Sequence, residues 1–263
     1  MRGFLLFDID GVLRDVAKSY RLAIQETVNH FCNWRPTLQD IDNLKSEGIW
    51  NNDWKASQEI IRRFHIKKNI SSQMPSLEKI IHVFSGFYFG GDPNANSLHW
   101  KGFIKNEPLL VDPDFFKKLT SQGFVWGFIS GAEPPSAKFV LETRLGLLNP
   151  PLIAMGDAPD KPDPTGLLSL SRQLAGEPLG QGVPPIAYLG DTVADVLTIQ
   201  HAKQKVPNQI FVSLGIAPPH LHHQKHAIAR AKYETLLTEA GADKVIKTTE
   251  EVLKLSDQLQ STK

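Results

Sequence analysis

The chain has 263 residues, 41% of them hydrophobic and 22% charged, which excludes a disordered or fibrous protein and leaves room for one sizeable core. Its 29 basic and 28 acidic side chains give a formal charge of +1, so no global field exists for holding nucleic acid or a membrane surface. Apolar runs such as 124–129 fall far short of the ~18 to 20 residues that span a bilayer, and no basic segment followed by an apolar stretch opens the chain; a soluble, unexported, cytoplasmic protein is expected.

In chain order, residues 3–9 (GFLLFDI) form the first of several short, continuous apolar runs that suit strands buried on both faces. Residues 17–105 break the pattern. There Leu22, Ile24, Val28 and Phe31 recur at helical spacing, and further helices are expected near 54–64 and 75–89, so this stretch reads as a helical insert. The lone Cys32 excludes a disulfide framework or a multi-cysteine metal site and reads as a core residue. Apolar runs then return at 123–130, 151–155, 185–190, 209–215 and 243–246, alternating with helical stretches at 114–122, 136–145, 164–174, 193–203, 220–240 and 249–259. That alternation predicts an α/β fold, a Rossmann-like parallel sheet sandwiched by helices, with the core in 1–16 and 106–263 and the insert in 17–105. A Thr248-x-x-Glu251 capping box is expected to open the last helix.

The chemistry gathers at the ends of the expected strands. The first runs into Asp8-Ile9-Asp10-Gly11-Val12-Leu13-Arg14-Asp15, and two carboxylates two residues apart at the end of a buried strand are unfavourable unless a cation or a proton stabilises them. In open parallel sheets the carboxyl ends of the strands are where ligands bind. An aspartate there can attack phosphorus while a second donates and accepts protons; Gly11 allows the sharp turn beside them. Ser130-Gly131 follows the second strand, where a hydroxyl and backbone amides can meet an anion or cap a helix. Lys161 lies in the proline-stiffened segment Asp160-Lys161-Pro162-Asp163-Pro164. Gly190-Asp191-Thr192-Val193-Ala194-Asp195 then places two acids one helical turn apart.

Taken together, these segments resemble the motifs of the haloacid dehalogenase superfamily, in order: D-x-D-G-[TV]-[LV]-x-D, a strand-end serine, K-P-x-P, and G-D-x-x-x-D. The position of the insert resembles that of the subfamily with a helical C1 cap, and Gly241-Ala242-Asp243-Lys244-Val245-Ile246 is similar to the family's closing segment. The resemblance implies a phosphatase acting on a small phosphate monoester, a sugar phosphate or phosphoglycolate-like compound, with Asp8 as nucleophile and Asp10 as general acid/base. It further implies phosphate binding by Ser130, Gly131 and Lys161, and Mg²⁺ held by Asp8, the Asp10 carbonyl, Asp191 and Asp195, the last either directly or through a neighbouring ligand. A phosphomutase uses the same residues, and a non-catalytic phospho-ligand binder on the same scaffold is the alternative of another class. Substrate choice is expected in the insert, where Lys45, Trp50, Asn51 and Asn52 could meet a sugar or simply form a capped loop. Arg14 stands where the family often has a small or aliphatic residue; it reads as a contact for a second anionic group or as a solvated hinge residue. His222 and His226 share zinc-like i,i+4 spacing but read better as an exposed helix start. Oligomeric state is not encoded in any pattern of the chain.

Overall fold

The computed structural model of the protein describes residues 1–45, 47, 50 and 52–255. Strand β1 (Gly3–Phe7) is followed by helices α1 (Ser19–Cys32), α2 (Leu38–Lys45), α3 (Asp53–Lys68) and α4 (Leu77–Phe89). The remaining elements are α5 (Phe115–Ser121), β2 (Phe124–Ile129), α6 (Pro134–Lys138), β3 (Leu152–Ile153), α7 (Thr165–Ala175), β4 (Ile186–Gly190), α8 (Val193–Lys205), β5 (Phe211–Ile216), α9 (Ala227–Glu239), β6 (Lys244–Ile246) and α10 (Val252–Leu255).

The six strands form one parallel sheet in the order β3-β2-β1-β4-β5-β6. Alternate residues of each strand feed two separate cores, as the period of two requires. Phe4, Leu6, Ile186 and Tyr188 pack with Leu167 and Leu170 of α7 and Ile199 of α8. On the other face Leu5, Phe7, Ala187 and Leu189 pack with Phe115, Phe116 and Leu119 of α5 and with Val252. The continuous apolar runs therefore have the physical cause read from them, burial on both faces. Since β1 is central and every strand runs the same way, the chain leaves β1, β2 and β4 at one end of the sheet.

The chain divides into two compact units, 1–15 with 108–263, and Val16–Glu107. The second unit is helical throughout its regular elements. Tyr20 of α1 stacks on Tyr88 of α4 with ring centroids 4.7 Å apart, and Trp34 stacks on Phe64 of α3 at 4.9 Å. A buried carboxylate, Glu107, accepts hydrogen bonds from the Ser19 and Tyr88 hydroxyls, joining the unit's first helix to its last residue.

Three local expectations change. The helix expected at 136–145 is a single α-helical turn, α6, continuing as a π-helical turn over Phe139–Arg144. The one expected at 220–240 begins as two 3₁₀ turns, Pro219–Leu221 and Gln224–His226, so α9 starts only at Ala227. Two consecutive prolines deny the segment its early donors. Finally, the Thr248 side chain caps nothing. Glu251 Oε2 instead accepts from the Lys247 amide, 3.3 Å away, while the Thr249 hydroxyl donates to the Val12 carbonyl at 2.6 Å; the expected helix beyond Leu255 lies outside the described residues.

Candidate active site

Asp8 follows β1 directly, its amide still paired with the Leu189 carbonyl of β4 at 2.9 Å. Its side chain is only 9% exposed; Oδ1 accepts from the Ile9 amide at 2.8 Å and lies 3.1 Å from the Lys161 ammonium. Burial pushes its carboxyl up to about 7; Lys161 opposes that, and Asp195 and Asp10 add to it. Asp191 follows β4 in the same way. Burial, then Asp8 and Asp195, raise its carboxyl well above the ordinary range, and among the described residues no hydrogen bond reaches that carboxylate. Oxygens of Asp8, Asp191 and Asp195 all lie within 4.8 Å of one another. Three acids so close face one ammonium, so the cluster lacks positive charge unless a cation or proton is added.

Asp195 is the most heavily bonded of the three. Its Oδ1 accepts from Lys161 Nζ at 2.6 Å and from the Tyr188 hydroxyl at 2.8 Å; Oδ2 accepts from the Thr192 amide at 3.0 Å and the Thr192 hydroxyl at 2.6 Å. Thr192 and Asp195 thus form a reciprocal capping box at the start of α8. Burial works against ionisation here, but Lys161 and these donors outweigh it and hold the Asp195 carboxyl below its usual range. Lys161 responds in kind: burial favours losing its proton, while Asp195 and Asp8 raise its affinity for it, keeping it an ammonium. Glycine makes the packing possible. A Cβ on Gly190 would stand 2.2 Å from Asp195 Cβ, and one on Gly11, at φ +77°, would stand 2.0 Å from Asp191 Oδ2.

Asp10 lies in the tight turn after β1, a quarter exposed, with Oδ1 accepting from Arg14 Nε at 2.7 Å. Arg14 itself is wholly buried, and its Nη2 donates to the Ser136 hydroxyl at 2.8 Å. The solvated hinge role read from sequence is therefore corrected: Arg14 belongs to the interior of the first unit, tied to Asp10. Ser130 follows β2 at the same end of the sheet, nearly buried, its hydroxyl accepting from the Ala132 amide at 3.1 Å; Gly131 is exposed beside it.

Of the residues proposed for substrate choice in the second unit, Lys45, Trp50 and Asn52 are already bonded there. Lys45 pairs with Asp53 at 2.6 Å, the Trp50 indole donates to Glu47 at 2.9 Å, and the Asn52 side chain caps α3 by accepting from the Lys55 amide at 3.0 Å. Asn51 lies outside the described residues. The histidine pair also separates. His222 binds the Ala217 carbonyl at 2.7 Å, and the break between the 3₁₀ turns and α9 removes the helical spacing that would put it beside His226.

Three contributors were not singled out in sequence. Tyr188 lies under Lys161, whose ammonium is 5.5 Å from the ring centroid, and it bonds Asp195. His201 of α8 bonds the Pro162 carbonyl at 2.9 Å and so holds the Lys161 segment. Tyr233 of α9 donates to the Asp191 carbonyl at 2.9 Å. Only Tyr188 had a local signal, a polar group two residues before Gly190 in an apolar strand.

A family model for haloacid dehalogenase-like hydrolases matches residues 4–203, which takes in every one of these strand-end acids and Lys161. The chain belongs to that family. Among solved structures, the fold resembles a phosphatase from Thermococcus thioreducens (TM-score 0.59, 22% identity, covering 80% of this chain and 92% of that one). It also resembles a protein assigned as a beta-phosphoglucomutase from Thermotoga maritima (TM-score 0.64, 16% identity, covering 97% and 99%). In sequence it is 33% identical over 195 residues to a protein of Phytophthora nicotianae named imidazoleglycerol-phosphate dehydratase; the match takes in 73% of this chain, which spans 40% of that protein's length.

Proposed function

We propose that this hydrolase is a magnesium-dependent phosphatase that cleaves a small phosphate monoester through a phosphoryl group carried on Asp8. The observation that supports it most directly is the charge imbalance at the end of the sheet: the Asp8 and Asp191 carboxylates, both raised in pKa, close to each other and served by a single ammonium. Oxygen-only donors of this kind suit a hard divalent cation. Magnesium held by Asp8 and Asp191, with the Asp10 carbonyl, would supply charge neutralisation at the phosphate oxygens. Both Asp195 oxygens already accept two donors each, so in this reading Asp195 holds Lys161 in place rather than ligating.

The steps follow from the residues. An Asp8 oxygen attacks phosphorus, the bond to the leaving oxygen breaks, and Asp10 gives that oxygen its proton. Asp10 then takes a proton from water, whose oxygen attacks the same phosphorus; the bond to Asp8 breaks and phosphate is released. Lys161, at 3.1 Å from Asp8, offsets negative charge on both the nucleophile and the phosphate, while the Ser130 hydroxyl and the Gly131 amide bind a phosphate oxygen. The helical unit Val16–Glu107 serves as the cap that selects the leaving group.

Release of inorganic phosphate from 4-nitrophenyl phosphate with magnesium, run beside Asp8→Asn, tests the reading. A loss of about 10⁴-fold or more is expected; equal activity in the two proteins overturns it. A panel of sugar phosphates, phosphoglycolate, nucleotide monophosphates and imidazoleglycerol phosphate then defines the substrate. Transfer to a second hydroxyl in place of phosphate release would identify a mutase.

A further inference from the structure

Arg14 is the one fully buried arginine among the described residues, and nothing in the steps above uses it. Its backbone is fixed on three sides. The Arg14 amide donates to the Ile9 carbonyl at 3.2 Å, its carbonyl accepts from Gly11 at 2.9 Å, and it pairs with Leu109 in an antiparallel bridge flanked by bonds from Leu110 to Leu13 and from Asp15 to Pro108. The guanidinium then reaches in two directions, to Asp10 Oδ1 at 2.7 Å and to Ser136 Oγ at 2.8 Å. Ser136 is itself 1% exposed, on the helix that opens with Pro134-Pro135 after β2.

Stability gives little reason for this arrangement. A buried ion pair is commonly no better for folding than apolar side chains of the same volume, and the residues just before Arg14 in the chain, Ile9, Val12 and Leu13, belong to the apolar core. A planar fork that binds two partners in fixed directions does something an apolar side chain cannot: it sets the orientation of a carboxylate. The carboxylate concerned is the one that must meet a leaving oxygen at hydrogen-bond distance, then a water at the same place. A quarter-exposed aspartate on a turn would otherwise sample several rotamers, and a misplacement of about 1 Å can lower the rate about 100-fold.

We propose that Arg14 is a positioning residue for Asp10, holding its carboxylate aimed at the leaving oxygen by anchoring it to Ser136; this rests on the assignment of Asp10 as proton donor. The prediction is specific to the step in which the leaving group needs a proton. Poor leaving groups need the aimed acid, and good ones depart without much help.

The test compares kcat and KM for phenyl phosphate and 4-nitrophenyl phosphate in the wild type, Arg14→Met, Arg14→Lys, Ser136→Ala and Asp10→Asn, together with crystal structures of the wild type and the Arg14 and Ser136 variants. Arg14→Met is expected to lower kcat about 100-fold on phenyl phosphate but about 10-fold or less on 4-nitrophenyl phosphate, with KM within about 2-fold on both. Arg14→Lys should recover part of the loss, Ser136→Ala should fall between, and the Asp10 carboxylate should adopt another rotamer in Arg14→Met. Equal losses on the two esters in Arg14→Met, alongside the selective loss in Asp10→Asn, overturn the role of Arg14 and leave Asp10 standing. If Asp10→Asn itself shows no selectivity, the proton-donor assignment fails. The role of Arg14 in aiming a proton donor then falls with it, whatever the Asp10 rotamer in Arg14→Met. Should Arg14→Met not fold, Arg14→Lys and Ser136→Ala carry the same two readouts.

Discussion

Two charge clusters, one in each unit, use the same kinds of side chain to opposite effect. In the helical unit, Glu59 accepts from Arg62 and Arg63, and Arg63 reaches on to both oxygens of Glu47, all at 2.6 to 2.8 Å. Two acids, Glu59 buried and Glu47 more than a third exposed, meet two arginines about half exposed, and both acids titrate low, Glu47 at about 2 because of the Arg63 and Trp50 hydrogen bonds. At the end of the sheet, Asp8 and Asp195, both buried, and Asp191, half-buried, meet a single ammonium among the described residues, that of Lys161, and two of the three acids titrate high. Matched charge whose arginines reach water is ordinary solvation. Unmatched, buried charge persists only where the rest of the fold holds it, and that is what marks a reactive site.

The difference between the two clusters turns first on Asp195. Asp195→Ala takes four donors' worth of hydrogen bonding from Lys161, Tyr188 and Thr192 and leaves a buried ammonium with Asp8 alone. A loss of about 3–5 kcal/mol in unfolding free energy is expected, because hydrogen bonds to a charged group contribute about 1.5–3 kcal/mol each and several are lost together at a buried site. Denaturant unfolding of wild type and variant measures it, and a loss below about 1 kcal/mol would mean that Asp195 does not organise the cluster.

A smaller effect is expected from pH in protein stripped of metal by a chelator. The folded-state pKa of Asp8, about 7, exceeds that of the unfolded chain. Below the unfolded value Asp8 is protonated in both states; above it the folded state binds the extra proton, and stability falls as pH rises toward 7. Asp191, also raised, adds to the fall, while Asp195, already lowered, is ionised in both states across this window. From about pH 5.5 to pH 8 the Asp8 contribution alone should cost the chelated protein roughly 2 kcal/mol. Added magnesium favours the ionised acids, so its stabilisation should be larger at the higher pH; a stabilisation independent of pH would separate the metal from these carboxylates.

What could be read in advance follows the range of the interactions. The sheet was legible because Phe4, Leu6 and Leu5, Phe7 alternate between two cores within one short run, and β4 repeats the pattern. Asp8, Ser130, Lys161 and Asp191 were legible as residues because each sits at a strand end or in a stiff loop in a short local pattern. Their wiring was not. Arg14 to Ser136 spans 122 positions and His201 to Pro162 spans 39, and no periodicity encodes a bond of that kind. Local patterns also misled where a partner from elsewhere competed: Thr249 bonds Val12, 237 positions away, in a segment that reads as a capping box. In the helical unit, Lys45, Trp50 and Asn52 have the composition of a binding loop, yet each is bonded to a neighbour in its own unit.

The smallest effect is expected in the matched cluster, at Arg63→Ala. Glu59 keeps Arg62 at 2.6 and 2.7 Å after the change, so its largely buried carboxylate is not stranded. Glu47, more than a third exposed, exchanges a guanidinium for water. Exposed pairs of this kind gain little over solvation and are screened by salt. The thermal midpoint should therefore move by less than about 3 °C, and by less still at high ionic strength, while the cost of Asp195→Ala should depend less on salt because the Asp195 carboxylate itself is only 1% exposed. If Arg63→Ala instead approached Asp195→Ala in cost, the number of bonds rather than the burial and imbalance of charge would set the energetics of both clusters.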